Sequence, residues 1–159
     1  CQEVAERAGQ TLPIAERNNW LLAIALDHLT LGRCALYAAL LRGEPPDAAQ
    51  PDVDRAVAGV RAAGAQEFNV PGLLTRAWLR HTLGDTAGAA ADLDEAWQIA
   101  TRGTMRLFQA DVHLTRARLF CDRTALAQAR LLIEQCEYRR RLPELEDAEA
   151  ALGADPTRR

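Results

Sequence analysis

Residues 73–79 read LLTRAWL, and residues 113–119, forty positions further along, read HLTRARL. Five of the seven aligned positions are identical. The same offset places a second group of small and apolar residues in register: Ala89, Leu93 and Ala96 on Ala129, Ile133 and Cys136. A period of this length is typical of proteins built by stacking one supersecondary unit on the next.

A second offset extends the repeat toward the N-terminus. A shift of 85 positions places residues 12–34 on residues 97–119 without a gap, and the identical pairs include His28/His113, Thr30/Thr115 and Arg33/Arg118. We therefore predict a single domain over residues 1–159 that contains three copies of one unit. The predicted parts are the end of a preceding unit at 1–17, units at 18–64, 70–102 and 105–137, and a C-terminal capping helix at 143–152.

Each unit has the pattern of a helix hairpin. Small and apolar residues recur at spacings of three and four, as in Ala89, Leu93 and Ala96, which marks one stripe of an α-helix. Strands are not expected, because β-branched alternation with a period of two is absent and aromatic residues make up only 5% of the chain. The predicted fold is all-α, with helices at 2–17, 20–42, 52–64, 70–83, 86–102, 105–121, 124–137 and 143–152.

The positions of small residues and of turn residues agree with the division of the chain into helix hairpins. Where two helices of a hairpin approach closely, we expect Gly32, Ala77 and Ala117 to face Ala56, Ala89 and Ala129, respectively. Gly84 and Asp85 predict a helix end followed by an acidic N-cap, and residues 122–124 predict a similar turn. The three prolines of 43–52 (GEPPDAAQPD) predict an insertion loop that is the most mobile part of the chain, and Pro13 predicts a weakened or bent first helix.

The spacing of the small and apolar positions resembles that of the tetratricopeptide repeat (TPR). The second unit carries the repeat's small, glycine-aspartate, alanine and large apolar positions as Ala77, Gly84, Asp85, Ala89, Leu93 and Ala96. The period of forty and the missing proline at the end of each unit depart from that pattern. Longer stretches, including 18–33, 84–100, 102–119 and 125–152, resemble the C-terminal repeats of bacterial NACHT-type signal-transducing ATPases and related regulators.

The resemblance implies a right-handed α-α superhelix of TPR-like hairpins. It also implies a non-catalytic protein-interaction or ligand-sensing module, as the C-terminal part of a larger bacterial regulator that carries any nucleotide-binding site elsewhere. Its partners would be a protein or peptide, or other domains of its own parent chain.

Composition narrows the chemistry that this segment could perform. The chain has no serine and no lysine, so serine-nucleophile catalysis, lysine-based mechanisms and a phosphate-binding P-loop are excluded within it. The net charge of −3 gives little support for binding nucleic acid. No apolar run appears long enough to span a membrane, and the four cysteines show no disulfide framework. We expect a cytoplasmic protein with reduced, mostly buried thiols, no cofactor, no metal site and no catalytic residues.

Candidate binding residues follow from the first helix of each unit, which lines the concave wall in stacked hairpins. Trp78 projects away from the hairpin seam, and the repeat aligns it with Arg33 and Arg118. Tyr37, Thr82 and Asp122 follow one turn later. We predict that a partner binds Arg33, Tyr37, Trp78, Arg118 and Asp122. The alternative is that Trp78 packs against a neighbouring unit while both arginines are solvated.

Other residues have structural interpretations at this stage. His28 and His113 occupy equivalent places, where packing or a hydrogen bond between helices would account for both, and Trp20 and Trp97 are expected in the core. Arg139, Arg140 and Arg141 are expected to be solvated or to pair with the acidic helix that follows. Two further functions stay open besides binding in a groove: a structural spacer, and self-assembly through an exposed terminal repeat.

Overall fold

The computed structural model describes residues 1–153, which form helices and no strand. Residues 154–159, the end of the predicted domain, lie outside the described part. The all-α prediction is confirmed. Two 3₁₀ helices, Asp47–Ala49 and Arg139–Arg141, accompany the α-helices, which are α1 (Gln2–Arg17), α2 (Leu21–Arg42), α3 (Gln50–Ala63), α4 (Gln66–Thr82), α5 (Thr86–Arg102), α6 (Arg106–Phe120), α7 (Arg123–Gln135) and α8 (Leu142–Gly153).

Two helices begin two or more residues earlier than the sequence predicts. Helix α4 starts at Gln66, so Pro71 lies inside it rather than at its first turn. Burial of Val70 and Leu73, one on each side of the proline, holds this part of α4 in place, and this packing outweighs the loss of one backbone donor. Helix α3 starts at Gln50, which leaves Pro51 in the first turn, where a proline costs no helical hydrogen bond.

The helices form two compact units, Cys1–Glu95 and Ala96–Arg159, and the boundary between them falls within α5. In the first unit, α1 packs on α2, α2 on α3 and α3 on α4, and α2 also touches α4. In the second unit, α6 packs on α7, and α8 contacts both of them. Neighbours in sequence are thus neighbours in space within each unit, as in an all-α repeat fold.

The core of the first unit includes a cluster made by Leu36, Ala49, Val53 and Leu79. Ala49 is completely buried, and Pro46 is buried as well. The predicted insertion loop is therefore shorter than 43–52 and is attached to the core at its C-terminal end. The sequence pattern misses this because the three prolines mark where a helix cannot continue, not where the chain packs.

Helix α8 closes the core of the second unit. Leu145 and Ala148 of α8 are buried against the α6–α7 hairpin, together with Ala110, Leu114, Ala129, Leu132 and Ile133. Helix α8 therefore buries its apolar side on the hairpin that precedes it.

The predicted close-approach positions are buried in every hairpin. Ala56, Ala77, Ala89, Ala117 and Ala129 are all 0% exposed, and Gly32 is buried too. The closest approach at Gly32 is to Val53, one turn before Ala56, since a Cβ built on Gly32 would lie 2.6 Å from Val53 Cγ2. Two contacts set this register, the hydrogen bond from His28 to Asp52 and the approach of Gly59 to Ala25.

Local geometry repeats at the 85-residue offset found in the sequence. The turn before α2 has Asn19 at φ 54° and the Trp20 N–H donating to the Ala15 carbonyl over 3.0 Å. The turn before α6 has Thr104 at φ 51° and the Met105 N–H donating to Ala100 over 2.8 Å. Equivalent threonines also bond back along their own helices at 2.8 Å, Thr30 to Leu26, Thr75 to Pro71 and Thr115 to Asp111.

Two burial predictions were wrong: that the thiols are mostly buried, and that Trp20 lies in the core. All four cysteines are free, but Cys1 and Cys121 are exposed and Cys34 and Cys136 are half-buried. Cys121 lies in a left-handed turn between α6 and α7, outside the helix face that packs. Trp20 is 57% exposed because it precedes α2, in the turn where the chain leaves α1.

Helix α2 also corrects the expectation that no segment is apolar and long enough to span a membrane. Its 22 residues meet the criteria of length and apolar composition for a helix that could cross a membrane. Its buried residues, among them Ala25, Leu29, Gly32 and Leu36, lie in the packed core of the first unit. A buried core helix can meet the same criteria, so this finding does not indicate that α2 crosses a membrane.

Candidate interaction face

Arg33 ties α2 to α4 at the centre of the predicted binding surface. Its Nε donates to Thr75 Oγ1 over 2.8 Å, and its Nη2 donates to the Pro71 carbonyl over 3.0 Å. The guanidinium fork presents donors at fixed angles, so one side chain satisfies a hydroxyl and a carbonyl one turn apart. Arg33 thus positions the two helices and is not simply solvated.

Trp78 packs against the core cluster of the first unit. Its half-buried indole contacts the group formed by Leu36, Ala49, Val53 and Leu79. This agrees with the alternative stated above, in which Trp78 packs on a neighbouring hairpin. Trp78 lies on the same side of α4 as Thr75 and Thr82, which are three and four residues away from it.

Exposed apolar residues continue the face along α2. Tyr37 is 43% exposed, and Leu41, one turn further, is 85% exposed. Arg33, Tyr37 and Leu41 follow at spacings of four, so they share one stripe of the helix. Leu41 was missed by the sequence analysis, although the same spacing from Arg33 could have identified it. We call the surface formed by Tyr37, Leu41 and Trp78 beside Arg33 the α2–α4 face.

The other two predicted binding residues belong to the second unit. Arg118 is exposed in the last turn of α6. Asp122 is the N-cap of α7, where its Oδ1 accepts the Ala125 N–H over 2.9 Å. The predicted turn at 122–124 is therefore confirmed, and the carboxylate of Asp122 is engaged in it. The structure places Arg33 and Tyr37 on α2 and Trp78 on α4, two helices that the hydrogen bonds of Arg33 join, and it places Arg118 and Asp122 at the α6–α7 turn.

A buried aspartate in the first unit organises a network that the sequence analysis did not find. The Asp92 side chain is 3% exposed, and its Oδ2 accepts from Arg76 Nε (3.0 Å) and Arg80 Nη1 (2.9 Å). Its Oδ1 accepts from Arg76 Nη2 at 2.7 Å. The bidentate bond to Asp92 raises the pKa of Arg76 against the opposing effect of burial.

A second buried aspartate fixes the arginine run to the second unit. Asp111 Oδ1 accepts from Arg141 Nε over 2.7 Å, and Tyr138 O–H donates to Asp111 Oδ2 over 3.3 Å. Arg141 also pairs with Glu144 at 2.7 Å, which confirms the predicted pairing with the following acidic helix. Burial raises the pKa of Asp111, and the hydrogen bond from Arg141 opposes that shift.

The two equivalent histidines have different surroundings. His28 is buried, and its Nδ1 lies 2.8 Å from Asp52 Oδ1, so this histidine makes the expected hydrogen bond between helices. The His113 ring packs against the ring of half-buried Trp97, with the centroids 4.6 Å apart and the ring planes inclined by 56°. Burial lowers the pKa of His113, with the nearby Arg116 charge acting in the same direction. Both side chains serve helix contacts, which is what the sequence interpretation proposed.

Comparison of the chain with protein-family models, curated proteins and solved structures gives no match. The likeness to TPR arrays and to NACHT-associated repeats therefore stays a prediction from the residues quoted above.

Proposed function

We propose that the chain is a non-catalytic interaction module that binds a protein or peptide on its α2–α4 face. The observation that carries the proposal is the exposure of Tyr37 and Leu41, which follow on α2 one and two turns after the Arg33 that bonds to α4. The half-buried indole of Trp78 on α4 adds an aromatic group that is packed on the same core cluster as α2. Aromatic residues anchored in a packed core lose little entropy on binding, and they dominate the energy of many protein interfaces. Arg33 supports the proposal by holding α2 and α4 together beneath the face.

The proposal includes the way in which the helix hairpins stack on one another. Repeated turns, repeated threonine bonds and buried seam alanines support a right-handed superhelix of TPR-like hairpins. Such a module would act in the cytoplasm as part of a larger bacterial signalling regulator, and its partner would be another protein or another domain of the parent chain.

The test compares the proteins captured by one double variant and by one single control variant with those captured by the unchanged chain. The first variant is Tyr37→Ala combined with Leu41→Ala, which removes exposed side chains from the α2–α4 face. The matched control is Leu131→Ala, which removes a 46% exposed leucine from α7. Each of the three proteins is used as bait in a lysate of cells that express the unchanged chain natively. The bound proteins are quantified by mass spectrometry. A partner lost by the double variant but kept by the control supports the proposal, and equal capture by all three contradicts it.

Self-assembly is a second candidate, because an apolar patch is exposed where α1 meets α2. Ile14, Trp20 and Leu21 are 45%, 57% and 45% exposed. Clustered apolar residues of this kind mark association surfaces more often than scattered ones do. Sedimentation equilibrium distinguishes the two functions: self-assembly predicts a mass that rises with concentration and returns to the monomer value in Trp20→Glu.

A further inference from the structure

The offset of 85 positions that relates α2 to α6 also relates α1 to α5. It places residues 2–17 on residues 87–102, and both helices end at the last residue of these ranges, before turns with the same backbone bonds. Ala8 of α1 is buried, and so is its equivalent in α5, Leu93. The burial of the two helices can therefore be compared position by position.

Six positions are more exposed in α1 than in α5, and they lie together on one side of the helix. Three are exposed in α1 but buried in α5: Val4, Arg7 and Thr11, which are equivalent to Ala89, Asp92 and Ala96. The other three border them and are exposed where their equivalents are half-buried: Glu3, Gln10 and Ile14. Spacings of three and four residues place the first three on one stripe of the helix. We call these six residues the α1 stripe.

The equivalent side of α5 packs on α4. The Asp92 carboxylate accepts two hydrogen bonds from Arg76, at 2.7 and 3.0 Å, and one from Arg80. Arg80 Nη1 also donates to the Gly88 carbonyl, one turn before Asp92, over 3.2 Å. Helices α4 and α5 therefore run antiparallel here, and the exposed α1 stripe corresponds to a side of α5 that a helix covers.

The charges of the α1 stripe are arranged differently from those of α5. Arg7 takes the place of Asp92, and Glu3 takes the place of Gly88. An arginine and a carboxylate span the same gap whichever of two helices carries the longer side chain. A helix placed on α1 as α4 lies on α5 is thus complementary when it has a carboxylate at the position of Arg76 and keeps a cation at that of Arg80, next to Glu3.

The uncharged residues of the α1 stripe suit burial under a helix. Val4 and Ile14 are 51% and 45% exposed, and covering them removes apolar surface from water. The Thr11 hydroxyl bonds to the Arg7 and Ala8 carbonyls at 3.2 and 3.1 Å, so its polar group needs no outside partner.

We propose that the α1 stripe binds an amphipathic helix of a partner protein, antiparallel to α1. The partner helix presents small and apolar residues to Val4, Thr11 and Ile14. It carries a carboxylate that faces Arg7 and, four residues later, a cation that faces Glu3. This surface lies on α1 and is separate from the α2–α4 face.

The test is a titration of the full chain with two fluorescein-labelled peptides, followed by fluorescence anisotropy. Both have the sequence of residues 66–83, and a hydrocarbon staple keeps them helical, since an isolated helix of this length is marginally stable in water. One peptide is unchanged, and the other carries Arg76→Glu. We expect the Arg76→Glu peptide to bind roughly tenfold more tightly, because attraction to Arg7 replaces repulsion.

Variants of the chain locate the binding surface. Arg7→Asp should reverse the preference between the two peptides, because it gives α1 the residue that α5 has at the equivalent position. Arg17→Asp changes the charge by the same amount at an exposed residue outside the α1 stripe and should leave the preference unchanged. Val4→Gln should weaken both peptides by a similar factor, roughly threefold to fivefold.

Three results would overturn the proposal: a preference that Arg7→Asp does not alter, an equal effect of Arg17→Asp, or no binding of either peptide. Sedimentation equilibrium adds a fourth, because a dimer of the unchanged chain that Arg7→Asp dissociates would identify a second copy as the occupant. The double variant Tyr37→Ala with Leu41→Ala should bind the Arg76→Glu peptide as the unchanged chain does. This last measurement separates the α1 stripe from the α2–α4 face.

Discussion

At the scale of single residues, the α2–α3 contact depends on a glycine that has no room for a side chain. A Cβ on Gly32 would lie 2.6 Å from Val53 Cγ2 and 3.1 Å from the Val53 backbone nitrogen. We expect Gly32→Ala to lower the free energy of unfolding by about 1–3 kcal/mol, because the two helices must move apart to accept a methyl group. Urea denaturation monitored by circular dichroism measures the change.

Gly9 provides the matched control, since it is also helical but a Cβ there meets no atom within 4 Å. Gly9→Ala should raise stability by up to about 1 kcal/mol, because alanine has the better helix propensity. Similar effects of the two substitutions would show that the contact of Gly32 with Val53 is not what limits that position.

Residues whose roles are local could be predicted from the sequence, and residues whose roles depend on a distant partner could not. Gly84 adopts φ 89°, and Asp85 and Asp122 cap the helices that follow, as their positions next to turns indicate. Asp92 and Asp111 bond to arginines 16 and 30 positions away. With 19 arginines available, the sequence offers no way to select these partners before the helix packing is known.

At the scale of elements, the 3₁₀ helix Arg139–Arg141 is attached to α6 by a buried ion pair. Arg141→Ala leaves the Asp111 carboxylate buried without its guanidinium, and we expect a loss of roughly 2 kcal/mol or more at neutral pH. Burial already raises the pKa of Asp111, and removing Arg141 raises it further. The folded variant then binds a proton more readily than the unfolded chain does, so its stability falls as pH rises through the raised pKa.

This direction of the pH dependence can be measured. The stability lost in Arg141→Ala should be larger at about pH 7 than at about pH 4, where a protonated Asp111 needs no counter-charge. Arg139→Ala is the control from the same element. The Arg139 side chain is 83% exposed and lies 3.9 Å from Glu137, so its removal should change stability little at either pH. A loss in Arg141→Ala that does not depend on pH would contradict the role given to Asp111.

The Pro-rich connection between α2 and α3 is the second element with a testable property. Burial of Pro46 and Ala49 restricts the accessible backbone to a few residues after the end of α2 at Arg42. Limited digestion with a protease of broad specificity should cut first within 43–48, because exposed turns yield before packed helices. Sequencing of the first fragments locates the cut, and an initial cut inside α5 would contradict this interpretation.

At the scale of the whole molecule, repetition in the sequence has a counterpart in the geometry of each unit. The turns before α2 and α6 have the same backbone bonds, although the residues that form them differ. The sequence predicted this repetition because seam residues and turn residues recur at fixed offsets. It did not predict which apolar residues stay exposed, since exposure of Trp20 and Leu41 depends on what packs around each helix end.

The predicted binding residues come from both units of the molecule. The repeat aligns Arg118 of the second unit with Arg33 and Trp78 of the first. If the predicted binding residues of both units bind one partner, Tyr37→Ala and Arg118→Ala should each weaken its binding by about 1–2 kcal/mol. Tyr37 is a better probe than Trp78, whose packing against Leu36 and Leu79 makes its removal costly for folding. Titration of a partner recovered by capture, with circular dichroism on each variant, measures both effects. A loss confined to Tyr37→Ala would limit the interface to the first unit, because the aligned position in α6 would then contribute nothing to binding.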